Sequence, residues 1–418
     1  MPPERIRAVY RIETPLPVEQ AAEALAGEQS TGTFVRVPGE TDELRERFAA
    51  RVERVTPLET VAEPSLPGAV RATDGYHRAE IELSFPLENT GTNLPTVLST
   101  VAGNLFELRE LSGVKLVALE LPDAFAKAYP GPQFGVDGTR ALTGVYGKPI
   151  IGTIVKPSVG LTPAQTAALV AQLADAGIDF VKDDELMANP PHSPLKERVD
   201  AVMRVVNAHA DRTGKKVMVA FNITDDLDAM RRHHDVVAQA GGTCVMVSLN
   251  SVGLVGVAHL RRGASLPIHG HRNGWGMWSR SPVLGIEFPV YQTFWRLAGV
   301  DQIHVNALGN KFWEPDDSVV RSIRACLTPL FGGDSVMPVV SSGQWGGQAP
   351  ETYRRTGTVD LMYLAGGGIM AHPGGPAAGV EAIRQAWEAA TTGIPLEEYA
   401  RTHESLRRSI ETFGSRGG

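Results

Sequence analysis

Between Gly177 and Pro190 the chain reads GIDFVKDDELMANP, an apolar segment that runs into one lysine and then three acids, Lys182, Asp183, Asp184 and Glu185. Taken alone, such a cluster is more often an ion pair or a solvated face, worth little to stability. Asp184 and Glu185 are also hard oxygen donors, and a few carboxylates completed by water and substrate oxygens suit Mg2+. An ordinary ammonium would compete with that metal. In an extended strand Lys182 and Asp184 face the same side, and a turn just beyond brings Glu185 round to join them.

Other residues suited to chemistry lie further along the chain. Lys156, before a proline, reads equally as a general base, an electrostatic group or a salt-bridge partner. His271 and Arg272 form a pair able to hold an anion through a charge-assisted fork, although in isolation such a pair is usually structural. Gly366, Gly367 and Gly368 let backbone amides approach a phosphate, although a glycine run more often marks a turn. Asn222, Asn250, His304, Ser341, Ser342 and Gly343 complete the set.

Position groups these residues. From Pro149 onward eight short apolar segments recur, IIGTIV, IDFVK, KVMVAFN, TCVMVSLN, LPIHGHR, QIHV, MPVVSS and DLMYLAGG, nearly all separated by helical or loop-rich stretches. Each polar candidate falls at the C-terminal end of one of them. Eight β/α units predict a closed (β/α)8 TIM barrel, the architecture that places chemistry at that end. Thr162-Pro163-Ala164-Gln165 marks a helix start, with Thr162 as cap and Gln165 reaching back, and Gly177 marks its stop. Before Pro149, segments at Arg5–Glu13, Val18–Leu25, Phe34–Val37, His77–Phe85, Leu94–Leu105 and Val114–Leu121 alternate between strand-like and helix-like. They predict an α+β, ferredoxin-like domain over 1–125. Residues 126–148, with AYPGPQFGVDG inside, read as a linker to a barrel over 149–418, an α/β fold overall.

Composition excludes several classes. The 418 residues are 43% hydrophobic and 21% charged, with no apolar run long enough to span a membrane. The N-terminus, MPPERIRAVYRIE, lacks the apolar centre of a signal peptide, so the expected location is cytoplasmic. Cys244 and Cys326 are too few for a disulfide scaffold or a thiolate zinc site. A net charge of −7 argues against a nucleic-acid binder but leaves room for a basic pocket that takes a phosphorylated small molecule.

The strings EQSTGTF, GNLFEL, GTIVKPSVGLT, GIDFVKDDE, HGHR, DQIHV, PVVSSG and AGGGIMAHPGG, in that order over nearly the whole chain, resemble the RuBisCO large subunit. They are more similar still to RuBisCO-like relatives that do not fix carbon dioxide. The resemblance implies that Lys182 becomes a carbamate by reacting with CO2 and, with Asp184 and Glu185, binds Mg2+. It implies proton transfer by Lys156, a catalytic His271 and a substrate contact from Ser341. Arg272 and His304 would hold one phosphate, and Thr33, Gly343, Gly366 and Gly367 would lie by another. Glu28 and Asn104 would enter from a neighbouring subunit, which makes a homodimer or an assembly of dimers the active unit.

Departures from the carboxylases are as informative. Ser158 stands where they carry a second lysine, Trp275 where they carry a histidine, and Gln344-Trp345 differs after the seventh strand. In VNALGNKFWE, ungapped spacing puts Lys311 at the mobile-loop lysine position, whereas aligning the glycine puts Asn310 there. Carboxylation of ribulose bisphosphate is therefore not expected. What remains is machinery to polarise a carbonyl and move an adjacent proton. The favoured expectation is a decarboxylase, transcarboxylase or hydrolase of a phosphorylated 3-oxo sugar acid such as 3-oxo-isoapionate 4-phosphate, with Lys311 holding the carboxylate. The alternatives are an enolase or isomerase of methylthio-ketose phosphates, with Trp275 against an apolar group, and a catalytically silent metabolite-binding protein.

Overall fold

The alternation in RIRAVYRIET puts Ile6, Ala8, Tyr10 and Ile12 on one buried face of strand β1 (Arg5–Thr14) in the computed structural model, which describes residues 4–32, 37–129, 131–333 and 335–414. β2 (Arg51–Val61), β3 (Tyr76–Pro86) and β4 (Gly113–Glu120) follow. β1 lies antiparallel between β3 and β4, and β3 also pairs with β2. Helices Val18–Glu28 and Leu94–Val101 fall between β1 and β2 and between β3 and β4. This order and the sheet sequence β4-β1-β3-β2 make the unit ferredoxin-like, as expected. β2 itself is not legible in the sequence: it is a mostly exposed edge strand whose pairing slips around Pro57, so it carries no apolar alternation. The strand expected over Phe34–Val37 falls, but for Val37, outside the described residues.

The eight apolar segments become β5 (Ile150–Ile154), β6 (Phe180–Lys182), β7 (Met218–Asn222), β8 (Cys244–Ser248), β9 (Ile268–His271) and, after a short β10 (Leu284–Ile286), β11 (Gln302–Asn306), β12 (Met337–Val340) and β13 (Met362–Leu364). All but β10 close into one parallel barrel. Its interior is filled by alternate residues, among them Ile150, Phe180, Met218, Met246, Val339 and Leu364. Gly152 keeps that layer open, because a Cβ there would lie 2.5 Å from Leu364 Cδ2 and 2.9 Å from the Phe180 carbonyl. Thr162 caps the helix Pro163–Asp175 with Gln165 in the reciprocal bond.

The chain divides into two compact units, residues 1–130 with 274–294 and residues 131–273 with 295–418. β10 is the reason for the excursion: it joins the first unit's sheet as a fifth strand, parallel to β4. Much of the stretch expected as a linker is structured instead. The helix Gly135–Thr143 and its flanks belong to the second unit, with Val136 and Val145 packed into the barrel core. Asp301 accepts from the Phe134 and Gly135 amides at 2.6 and 3.2 Å, and Arg140 donates to the Val145 and Val359 carbonyls. Turn-forming residues concealed these long-range bonds. No helix among the described residues is long and apolar enough to cross a membrane.

Candidate active site

The strand β6 ends at Lys182, but the alternation of side chains persists beyond it. Lys182 points inward, fully buried, and its Nζ donates to the Asp183 carbonyl at 2.8 Å and lies 3.5 Å from Glu185 Oε2. Burial pushes the Lys182 ammonium below its ordinary range, against the opposing pull of Glu185, Asp184 and Asp183. A lysine so placed is biased toward the neutral, reactive amine. Asp183 points the other way, where its Oδ2 accepts from Arg198 Nη2 at 3.1 Å and from the Asn222 amide at 3.0 Å. Arg198, also fully buried, donates to the Ser193, Met187 and Ala188 carbonyls. Asp183 thus anchors the loop that carries its neighbours.

That loop presents Asp184 and Glu185. Asp184 Oδ2 accepts from Lys156 Nζ at 2.8 Å, and Lys156 also donates to Ser158 Oγ at 2.7 Å. Burial would raise the Asp184 pKa, but the Lys156 bond, the Leu186 amide and the nearby positive charges overcome it, and the carboxyl is held below its usual range. Glu185 Oε2 lies 3.5 Å from His271 Nε2. Asn222 Nδ2 donates to the Asp184 and Glu185 carbonyls at 3.2 and 3.1 Å, so the end of β7 fixes the backbone of both acids. A Cβ on Gly366 would stand 3.9 Å from Lys156 Cε, which puts the glycine run beside the same lysine. Lys156, Lys182, Asp184, Glu185, His271 and Gly366 therefore form one constellation.

A buried polar array runs up the barrel behind it. Met218 Sδ can only accept, so the Gln302 amide nitrogen faces it at 3.5 Å and Thr139 Oγ1 at 3.2 Å, and Gln302 Oε1 accepts from His269 Nδ1 at 2.8 Å. His269 Nε2 then accepts from His304 Nε2 at 2.9 Å, and His304 Nδ1 accepts the Ser341 hydroxyl at 2.9 Å. Burial holds His269 and His271 neutral, with pKa values pushed down to about 3, and drives His304 well below its ordinary value too. Both ring nitrogens of His304 are engaged within the protein.

The anion-binding candidates divide. Arg272 Nη2 donates to Glu314 Oε2 at 2.7 Å, and both side chains are buried. Asn310 is committed to its own turn, donating to the Ala307 and Glu314 carbonyls and accepting from the Phe312 amide. Lys311 is exposed, its ammonium 5.2 Å from the Phe312 ring centre, and its Cβ is 3.4 Å from where a Cβ on Gly343 would lie. Gly343 and Ser342 both have positive φ, 77° and 90°. Around Gly367 no atom lies within 4 Å of a Cβ position, so its backbone is open to approach. Gln344 and Trp345 are bridges: the single Tyr363 hydroxyl proton is shared between the Trp345 carbonyl at 2.7 Å and Gln344 Oε1 at 2.9 Å, and Gln344 donates to the Leu308 carbonyl.

Glu28, Asn104 and Trp275 belong to the first unit. There Gln29, following Glu28, places its amide 3.1 Å from the Asn104 and Leu105 amides and from the Ser99 and Thr100 carbonyls, which ties Glu28 and Asn104 into one local structure. Trp275 is buried against Tyr291 at 4.5 Å and Phe288 at 5.8 Å between ring centres. Thr33 lies outside the described residues. The sequence names Asp183 without a role and passes over His269 and Gln302, although the His-x-His spacing of LPIHGHR places His269 on the same barrel face as His271. Glu314 carried no such signal.

Among the described residues no group of three or more His, Cys, Asp or Glu is placed to hold a metal ion. Asp184 and Glu185 offer two carboxylates, and Lys182, as an amine, offers no oxygen. The set fits Mg2+ once Lys182 supplies an oxygen as a carbamate, a change its depressed pKa favours.

Residues 135–413 match the catalytic domain of the ribulose bisphosphate carboxylase large chain, and residues 3–125 match its N-terminal domain. A Rhizobium etli protein described as 3-oxo-isoapionate-4-phosphate decarboxylase is 53% identical, covering 99% of this chain and all of that one. A Xanthobacter autotrophicus protein described as 3-oxo-isoapionate-4-phosphate transcarboxylase/hydrolase is 56% identical over 97% of this chain and 99% of its own. The crystal structure of a rubisco-like protein from Burkholderia fungorum superposes with a TM-score of 0.92 at 50% identity, over 97% of this chain and 99% of that one.

Proposed function

The chain belongs to the ribulose bisphosphate carboxylase large-chain family, and from that premise we propose that it is a RuBisCO-like carbon-carbon lyase acting on a phosphorylated 3-oxo sugar acid such as 3-oxo-isoapionate 4-phosphate. The observation that carries the reading is the convergence of Lys156 on Asp184 at 2.8 Å beside the buried, readily neutral Lys182. Ser158 in place of a second lysine and the full-length likeness to proteins named for this substrate support it.

In the forward reaction the bond between the carboxyl carbon and the carbon beside the oxo group breaks. The electron pair passes onto the oxo oxygen, CO2 leaves, and the carbon takes up a proton. Lys156 moves that proton, a role worth about 10²- to 10⁴-fold in rate. Ser158 and Asp184 hold its Nζ in place. Lys311, exposed beside Gly343, pairs with the substrate carboxylate, and the Gly343, Gly366 and Gly367 amides receive the phosphate. Asp184, Glu185 and Lys182, once carbamylated, would hold Mg2+, which when bound would stabilise negative charge growing on substrate oxygens. His271 orients Glu185. Glu28 and Asn104 complete the site from a partner subunit in a cytoplasmic homodimer or assembly of dimers.

The test is incubation of the protein with Mg2+, bicarbonate and either phosphorylated 3-oxo sugar acids or methylthio-ketose phosphates, following released CO2 and ketone position. CO2 from the first class, at least 100-fold slower in Lys156→Ala and Lys182→Ala, is the expected result. Turnover of the second class alone would instead establish the isomerase, whose support from Trp275 is weakened by the packing of that ring on Tyr291 and Phe288. The silent reading requires neither class to react.

A further inference from the structure

Resting on the reading of a phosphorylated sugar acid, we infer that Glu314 is a specificity-determining residue: its carboxylate occupies the guanidinium of Arg272, so the site binds one phosphoryl group and gains nothing from a second. Arg272 directly follows β9 at the C-terminal end of the barrel strands, and its guanidinium fork suits a phosphate or a carboxylate equally. In this chain a carboxylate is already there. Glu314 Oε2 accepts from Arg272 Nη2 at 2.7 Å and from Asn306 Nδ2 at 3.2 Å, while Oε1 accepts from Ser318 Oγ at 2.8 Å. Both oxygens are satisfied and the residue is 4% exposed, so Glu314 is built in rather than resting on the surface.

A phosphate taking the place of Glu314 on Arg272 Nη2 would leave that carboxylate buried without its cation, which is strongly unfavourable. The neighbouring His304 offers no compensation, because its Nε2 donates to His269 and its Nδ1 accepts from Ser341. Among the described residues, the other proposed anion donors are Lys311 and the backbone at Gly343, Gly366 and Gly367, which the proposed reading assigns to one carboxylate and one phosphate.

The experiment measures binding by titration calorimetry, with a pentitol phosphate and the corresponding pentitol bisphosphate as probes, on the full-length protein and on Glu314→Gln. The wild-type chain is expected to bind both within about threefold of each other, and Glu314→Gln to favour the bisphosphate by about tenfold or more, because the amide frees the Arg272 charge while keeping a hydrogen bond. A wild-type preference of tenfold for the bisphosphate, or a variant with an unchanged ratio or no bisphosphate binding, overturns the inference. Should Glu314→Gln fail to fold, the wild-type ratio decides. No turnover is measured, so failure of the proposed reaction leaves this result legible.

Discussion

At the scale of single residues, the site is organised by burial that disfavours the charged forms of ionisable groups. Lys182 and the histidines of the barrel interior share this property, and it has a measurable consequence away from catalysis. His269, pushed down to about 3 by burial, stays neutral in the folded chain, whereas the unfolded chain protonates it below its ordinary value near 6.5. The unfolded state therefore binds more protons in this window, and stability falls as pH drops from 6.5 toward 3. In urea titrations at pH 6 and pH 5, His269→Gln is expected to lose about 1 kcal/mol less stability between the two than the wild type. An equal loss would mean that His269 is already protonated in the fold. For Lys182 the expectation is that Lys182→Ala abolishes bicarbonate-dependent Mg2+ binding in calorimetry, since no oxygen then joins Asp184 and Glu185.

At the scale of elements, the loop after β6 is held by bonds that never touch a substrate. Asp183, flanked by two proposed ligands, serves the scaffold: it pairs with Arg198 on the following helix, and Arg198 in turn collects three loop carbonyls. Removing one partner leaves a buried charge uncompensated, so Asp183→Ala should destabilise the protein by about 3 to 5 kcal/mol, read as a lower denaturant midpoint. A loss under about 1 kcal/mol would place the pair in water. Gly152 makes the corresponding test of the barrel interior. Its Cβ would crowd Leu364 and the Phe180 carbonyl, and Gly152→Ala is expected to cost about 1 to 3 kcal/mol by overpacking.

At the scale of the whole molecule, the proposed pairing of Glu28 and Asn104 with a partner's barrel predicts complementation. Glu28→Ala and Lys182→Ala are each expected to be inactive alone. Mixed under conditions that exchange subunits, they should recover about a quarter of the wild-type activity, because half of random dimers are mixed and each mixed dimer keeps one intact site of two. Absence of recovery despite proven exchange would place Glu28 in the site of its own subunit and not the partner's. The division of the chain bears on this, because the first unit holds Glu28, Asn104 and the segment 274–294 together.

The sequence by itself determined what rests on local periodicity and on residue chemistry. Eight apolar segments with polar C-terminal ends specified the barrel and its working face, because side chains alternate along a strand and barrel loops gather at one end. That Lys182, Asp184, Glu185 and Lys156 gather at that end was legible for the same reason. Only the tertiary structure decided which of the charged residues are already satisfied. Asp183 was bound to Arg198, Arg272 to Glu314, and β10 to a sheet begun more than 150 residues earlier in the chain. Such pairings join residues with no shared spacing, so neither alternation nor turn chemistry records them. In the same way, the structure shows Asn310 committed to its own turn and Lys311 exposed, which supports Lys311 as the proposed partner of the substrate carboxylate.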